Sequence, residues 1–151
     1  MRRLIALVVL SIAAFITAAQ DLGVVTRQSR STVPDTTAKL LAAIESSGIY
    51  KVFYQLDHAA NAEKEAGAKL PPSHLILFGN PKGGAPLIKE APTLALDLPN
   101  RALVWQDADG KVWVTYNDIA STFARHGLKR SAEQIKVIEA RQSALFDKAL
   151  Q

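Results

Sequence analysis

The stretch LFGNPKGGAPLI, residues 77–88, is where the fold becomes legible. An apolar run over residues 74–78 has the length and continuity of a strand buried on both faces, hence central in its sheet. It breaks at Gly79-Asn-Pro, crosses Lys82-Gly-Gly and resumes as Pro86-Leu-Ile-Lys-Glu-Ala, a short helix with proline in its first turn. Two readings of the break stand side by side. The amides of Gly83 and Gly84 ahead of a helix N-terminus, beside Lys82, suit a small anion. Asn-Pro and Gly-Gly also suit a strand-to-helix turn that needs them for backbone shape alone, the commoner use. The break is not a nucleotide motif. A Walker loop needs glycine, four residues, then Gly-Lys-Ser or Gly-Lys-Thr, whereas Gly79 is followed after three residues by Gly83-Gly84-Ala85.

Working outward, residues 49–56 alternate as another strand, and Asp57 caps a short helix over 59–66 that Gly67 closes. Upstream, residues 23–30 read as a first strand. A helix follows with Pro34 and Asp35 in its first turn, an apolar stripe of Thr37, Leu40, Leu41 and Ile44, and Gly48 at its end. Downstream, residues 103–106 and 111–116 flank Asp107-Ala-Asp-Gly110 as a hairpin. That turn lacks the third oxygen ligand of a calcium loop, and its flanks alternate as strands. Asn117 or Asp118 caps a helix over 119–125 that Gly127 closes. Ser131-Ala-Glu-Gln134 is a capping box opening a last helix with the stripe Ile135, Ile138, Leu145 and Ala149, Phe146 beside it. The order predicts an α+β domain, a mixed or antiparallel sheet packed by helices, over residues 20–151.

Residues 1–19 are set apart from that domain. Arg2-Arg3 and an uncharged apolar run over 4–16, followed by Thr17-Ala18-Ala19, have the layout of a cleaved signal peptide. The run falls short of the roughly 20 apolar residues that span a bilayer. The expectation is a periplasmic or secreted protein beginning near Gln20, with no membrane attachment after cleavage. Without Arg2 and Arg3 the formal charge falls from +4 to +2, with 16 basic against 14 acidic residues interspersed along the chain. No basic stripe of the kind that binds nucleic acid is present. The absence of cysteine removes disulfides, thiolate nucleophiles and Cys metal ligands, so stability must come from packing.

The three histidines, His58, His74 and His126, are not spaced as a metal pair. His126 suits a cation near a helix C-terminus. His58 lies where a strand meets a helix start, a place where polar groups converge on sites. There is no Gly-x-Ser-x-Gly elbow, and Ser73 beside His74 in sequence is not a nucleophile–base pair.

Taken together, VFYQLDHAANA from Val52, Leu70-Pro-Pro, LFGNPKGGAPL from Leu77, ALDLP from Ala95, VWVTYN from Val112 and His126-Gly127 resemble the family called domain of unknown function 302. The resemblance implies a compact α+β fold similar to the TATA-binding-protein-like architecture, in one domain and often as a dimer. It implies no settled activity. The shared core is expected over about 23–128, with the helix over 131–150 as an extension. Isoleucine at position 88 stands where the family usually has methionine. Three functions follow as expectations. The first is a non-catalytic binding module for a small, anionic ligand or a protein partner, in a cleft formed by His58, Asn80, Lys82, Gly83, Gly84, Tyr116 and Asn117. The second is a haem or metal protein using His58 or His126. The third is a small hydrolase or isomerase.

Overall fold

Alternation along the strands sorts their side chains onto two faces of one sheet. The computed structural model describes residues 22–151, so the signal segment 1–19 and the start at Gln20 lie outside the described residues. Strands β1 (Val24–Ser29), β2 (Lys51–Asp57), β3 (Ser73–Gly79), β4 (Asn100–Gln106) and β5 (Val112–Asn117) lie in the order β1-β5-β4-β3-β2. Every neighbouring pair is antiparallel, so the sheet is not mixed. Strand β3 is central, as expected, but only its Ile76 and Phe78 face is buried, and Leu75 and Leu77 on the other face are half-buried.

One face carries Ile76, Phe78, Ala102, Val104, Val112, Val114 and Tyr116. Against it pack helix α1 (Val33–Ser46), through Leu40 and Ile44, and helix α5 (Ala132–Ala149), through Leu145, Phe146 and Ala149. Each valine, leucine, isoleucine or phenylalanine side chain taken fully from water contributes about 1.5–3 kcal/mol, which makes this layer the main source of stability in a chain without disulfides. The result is a single α+β domain.

The helices begin where the sequence places their caps. Asp57 accepts from the Ala60 amide at the start of α2 (His58–Ala66), and Asp118 accepts from Ser121 at the start of α4 (Ile119–Arg125). Ser131 and Gln134 form the reciprocal capping box of α5. The hairpin turn is also as read: Asp107 Oδ1 accepts from the amides of Asp109 and Lys111, and Gly110 has a φ of +80°.

Helix α3 differs from expectation. It runs Pro81–Glu90 rather than starting at Pro86, because Asn80 caps it and Pro81 occupies its first position. Gly83 and Gly84 are therefore helical residues, and neither has a positive φ. Pro86 sits inside this helix and removes a donor from its ladder. After α3 comes a 3-10 helix (Pro92–Leu96), and a second apolar cluster forms there. Leu94, Ile119, Phe123 and Leu128 are its centre, with Leu87, Leu98, Ile135 and Ile138 around it.

Candidate functional site

The strand register separates residues that the sequence reading had gathered. Lys51 pairs with Gly79, and Asp57 with His74, so Asn80 and His58 leave opposite ends of the β2–β3 ladder. Six residues at about 3.4 Å each put roughly 20 Å between those ends. Antiparallel pairing therefore overturns the expectation of His58 and Asn80 in one cleft: a helix start following each of two neighbouring antiparallel strands falls at opposite edges. Asn117 does share the Asn80 end. Phe78 pairs with Asn100 and Ala102 with Tyr116, which leaves β4 between them.

Tyr116 belongs to the core. Its ring stacks on Phe146 at 3.8 Å and 7°, and Phe146 in turn meets Phe78 edge-on at 6.2 Å. Burial raises its phenol pKa above the ordinary value. The glycines do not form an anion cradle: the amides of Gly83 and Gly84 both donate to the Asn80 carbonyl, at 3.1 and 2.8 Å, and the Lys82 amide donates to Asn80 Oδ1 at 3.1 Å. Donors engaged in the first helical turn are not available to a ligand. Lys82 itself is exposed.

What forms at this sheet end is a cleft of about 440 Å³. Asn80, Gly83 and Gly84 line it, joined by residues that the sequence does not assign to a site: Tyr50, Leu87, Leu98, Phe123, Ile138, Arg141 and Gln142. It opens where the main core and the second apolar cluster meet without merging. Its walls are mostly apolar, and its volume lies within the roughly 300–1,000 Å³ of small-molecule sites. One wall is α3, which has no fully buried residue and contains two glycines and an internal proline, a poor composition for a rigid helix. Glycine keeps this wall thin, since a Cβ at position 84 would stand 3.5 Å from Leu98 Cδ1.

Gln142 carries a sequence signal of its own. It falls four residues after Ile138 and three before Leu145, on the apolar stripe of α5, and a polar residue on a buried stripe marks a place where packing alone is not the reason for the choice.

A second polar cluster lies beside the second apolar core. Asp97 accepts from Arg125 Nη1 at 2.8 Å, His126 Nε2 lies 2.8 Å from the same carboxylate oxygen, and Arg101 Nη1 is 3.5 Å from the other. His126 Nδ1 meets Thr93 Oγ1 at 3.0 Å. The hydrogen bond from His126, with Arg125 adding its charge, holds the Asp97 carboxyl below the usual range. Both imidazole nitrogens are thus engaged, and a metal at His126 would have to displace Thr93 or Asp97. The chain of hydroxyl, imidazole and carboxylate has the connectivity of a nucleophile, base and orienting acid. Two guanidiniums share that carboxylate, however, and neither Thr93 nor His126 lines the cleft. Among the described residues no group of three or more His, Asp or Glu is placed to hold a metal ion, and His58 stands apart at the far end of the sheet.

The family described as Domain of unknown function DUF302 matches residues 25–147. The chain belongs to this family. The matched span reaches well into α5, beyond the 23–128 expected for the shared core, so Arg141 and Gln142 fall inside it. The chain is also similar to the crystal structure of an uncharacterized conserved DUF302 protein from Bacillus stearothermophilus. The TM-score is 0.72 at 18% identity, covering 85% of this chain and 98% of that one, a likeness of fold. Among curated proteins it is 48% identical over 113 residues to fluoride-specific ion channel FluC 1 of Brucella suis, covering 75% of this chain and 44% of that protein. It is equally similar to fluoride-specific ion channel FluC 2 of Brucella melitensis, covering 41% of that protein. The chain thus spans less than half the length of the curated relatives it matches. No helix among the described residues is long and apolar enough to cross a membrane.

Proposed function

We propose that this DUF302 domain is an exported, non-catalytic binding module whose small ligand occupies the cleft between α3, α4 and α5. The observation that carries the reading is the cleft itself: about 440 Å³ of mostly apolar wall with Asn80, Arg141 and Gln142 among its lining. A few polar groups on an apolar concavity are the usual composition of a small-molecule site. Export is supported by the composition of residues 1–19. The test is an amide-resolved NMR titration with octanoate and with 1-octanol. Saturable shifts at Gly79, Gly84 and Ile138 are expected, and Gly84→Leu should abolish them by filling the cleft. Shifts scattered over the surface, or unchanged by Gly84→Leu, would refute it.

The Brucella relatives favour a second, compatible reading, in which the module acts beside a membrane ion channel. Support comes from the names of those relatives and from the share of their length that this chain does not span. Deleting the gene from its host should then raise fluoride sensitivity, and unchanged tolerance would count against the association. A homodimer, implied by the family resemblance, is part of the same proposal. It is supported by Phe53 and Tyr54, more than half exposed on the edge strand β2, and is checked by light scattering.

A further inference from the structure

The amide of Gln142 is a group the packing does not explain. Only 2% exposed, it lines the cleft, and its Nε2 is enclosed without a hydrogen-bond partner, a condition shared among the described residues only by Thr37 Oγ1. Leaving such a group unpaired forfeits the hydrogen bonds it makes with water in the unfolded chain. An apolar residue, as at the neighbouring stripe positions Ile138 and Leu145, would avoid that cost. A water molecule is a poor remedy, since an ordered buried water needs two to four polar partners and the surrounding wall is apolar. Beside it Arg141 lines the same cleft and forms no ion pair among the described residues. Its charge is felt by Tyr50, another lining residue: burial raises that phenol's pKa, and Arg141 draws it back.

Adjacent helical residues project in different directions, yet both of these line the cleft. A guanidinium offers paired donors matched to a carboxylate. An amide turned about its last torsion presents either its nitrogen or its oxygen. A bare halide, about the size of the water molecule whose share of liquid volume is about 30 Å³, would leave most of the apolar wall uncovered.

Resting on the reading of the cleft as a ligand site, we propose that it takes a small apolar molecule ending in a carboxylate. The tail lies among Leu87, Leu98, Phe123 and Ile138, and the acid group lies between Arg141 and Gln142.

Octanoate and 1-octanol, of matched chain length, separate the two levels of the argument. In the native protein octanoate should bind at least about tenfold more tightly, since hydrogen bonds to a charged group contribute about 1.5–3 kcal/mol. Gln142→Met and Arg141→Gln should each bring the two affinities to within about threefold while leaving 1-octanol unchanged. Arg141→Gln, an exposed substitution, keeps the test intact if Gln142→Met perturbs folding. Equal affinities in the native protein, or a preference for octanoate that survives both variants, would overturn the carboxylate assignment and leave the cleft reading standing, whereas binding of either probe that survives Gly84→Leu would refute the cleft reading. Failure of both probes to bind would take down the cleft reading itself.

Discussion

Asp97 and Gln142 are both buried polar side chains, and the fold treats them in opposite ways. Asp97, 7% exposed, is met by Arg101, Arg125 and His126; Gln142, 2% exposed, is met by nothing. The first group ties the 3-10 helix to the end of α4, and its hydrogen-bonding capacity is used in folding. The second lies on the wall of a cleft with its capacity unused. Burial alone therefore does not mark a functional polar residue in this protein. The distinction lies in whether the partners are already present.

Breaking the satisfied cluster should have the largest effect. Asp97→Asn removes the charge that three donors share. Uncompensated buried charge costs about 3–5 kcal/mol when one partner of a pair is lost, but Arg125 and Arg101 are 51% and 46% exposed and can rehydrate. The expected loss in urea unfolding is therefore about 2–3 kcal/mol, with octanoate binding unchanged in the folded protein. The same carboxylate gives a pH signature. Its folded pKa is depressed, so the unfolded chain binds more protons as pH falls through the unfolded value of about 3.9. Its contribution is complete above that value and is lost as pH drops toward the folded pKa. Native urea midpoints should fall between about pH 5 and pH 3 more steeply than those of Asp97→Asn, and parallel slopes would contradict the assignment. Glu90 and Asp107, also held below the ordinary range, remain in both proteins and cancel from the difference.

Relieving the unsatisfied cluster should move stability the other way. Gln142→Met keeps the volume and removes the unpaired amide, so a gain of about 1–2 kcal/mol is expected in unliganded protein. A loss of stability would mean that the amide has a structural partner.

A smaller gain is expected in α3. Gly84→Ala lowers the entropy of the unfolded chain at a helical position where the new Cβ meets only Leu98 at 3.5 Å, contributing about 0.5–1 kcal/mol. Gly83→Ala should gain less, because its Cβ would stand 3.0 Å from Asn80 Nδ2 and disturb the cap. Equal gains would show that the cap does not depend on that contact.

The sequence disclosed what local physics determines and missed what pairing determines. Strand alternation, the caps Asp57, Asp118 and Ser131, the Asp107 hairpin and the apolar stripes of α1 and α5 are all set within a few residues of chain, and all are observed. The start of α3 was misplaced because glycine and proline argue for a turn, whereas the Asn80 cap and Pro81 already open a helix. The site was legible only at Asn80, Gly83 and Gly84. Arg141 and Gln142 lie some sixty residues further along, and nothing local says that α5 lines the same cleft as the end of β3. Placing His58 with Asn80 requires the ends of β2 and β3 to share one edge, which holds for parallel strands and is inverted by antiparallel ones.

The smallest effect is expected at Lys82, and it sharpens the comparison because the side chain lies at the rim of the cleft region without lining it. Lys82→Ala should change stability by less than about 0.5 kcal/mol, since an exposed lysine in the first turn of a helix has little to lose. If the neighbouring amides were an anion site, sulfate would raise the melting temperature by binding the folded state, and Lys82→Ala would remove the increment. With those amides donating to Asn80, sulfate should do no more than chloride at matched ionic strength, in native protein and variant alike. Octanoate should instead stabilise the native protein and Lys82→Ala equally, while Arg141→Gln responds less. A sulfate increment that disappears in Lys82→Ala would return the anion to the helix start. An octanoate response that weakens there as much as in Arg141→Gln would mean that the acid group is drawn by Lys82 as much as by Arg141 rather than held by α5.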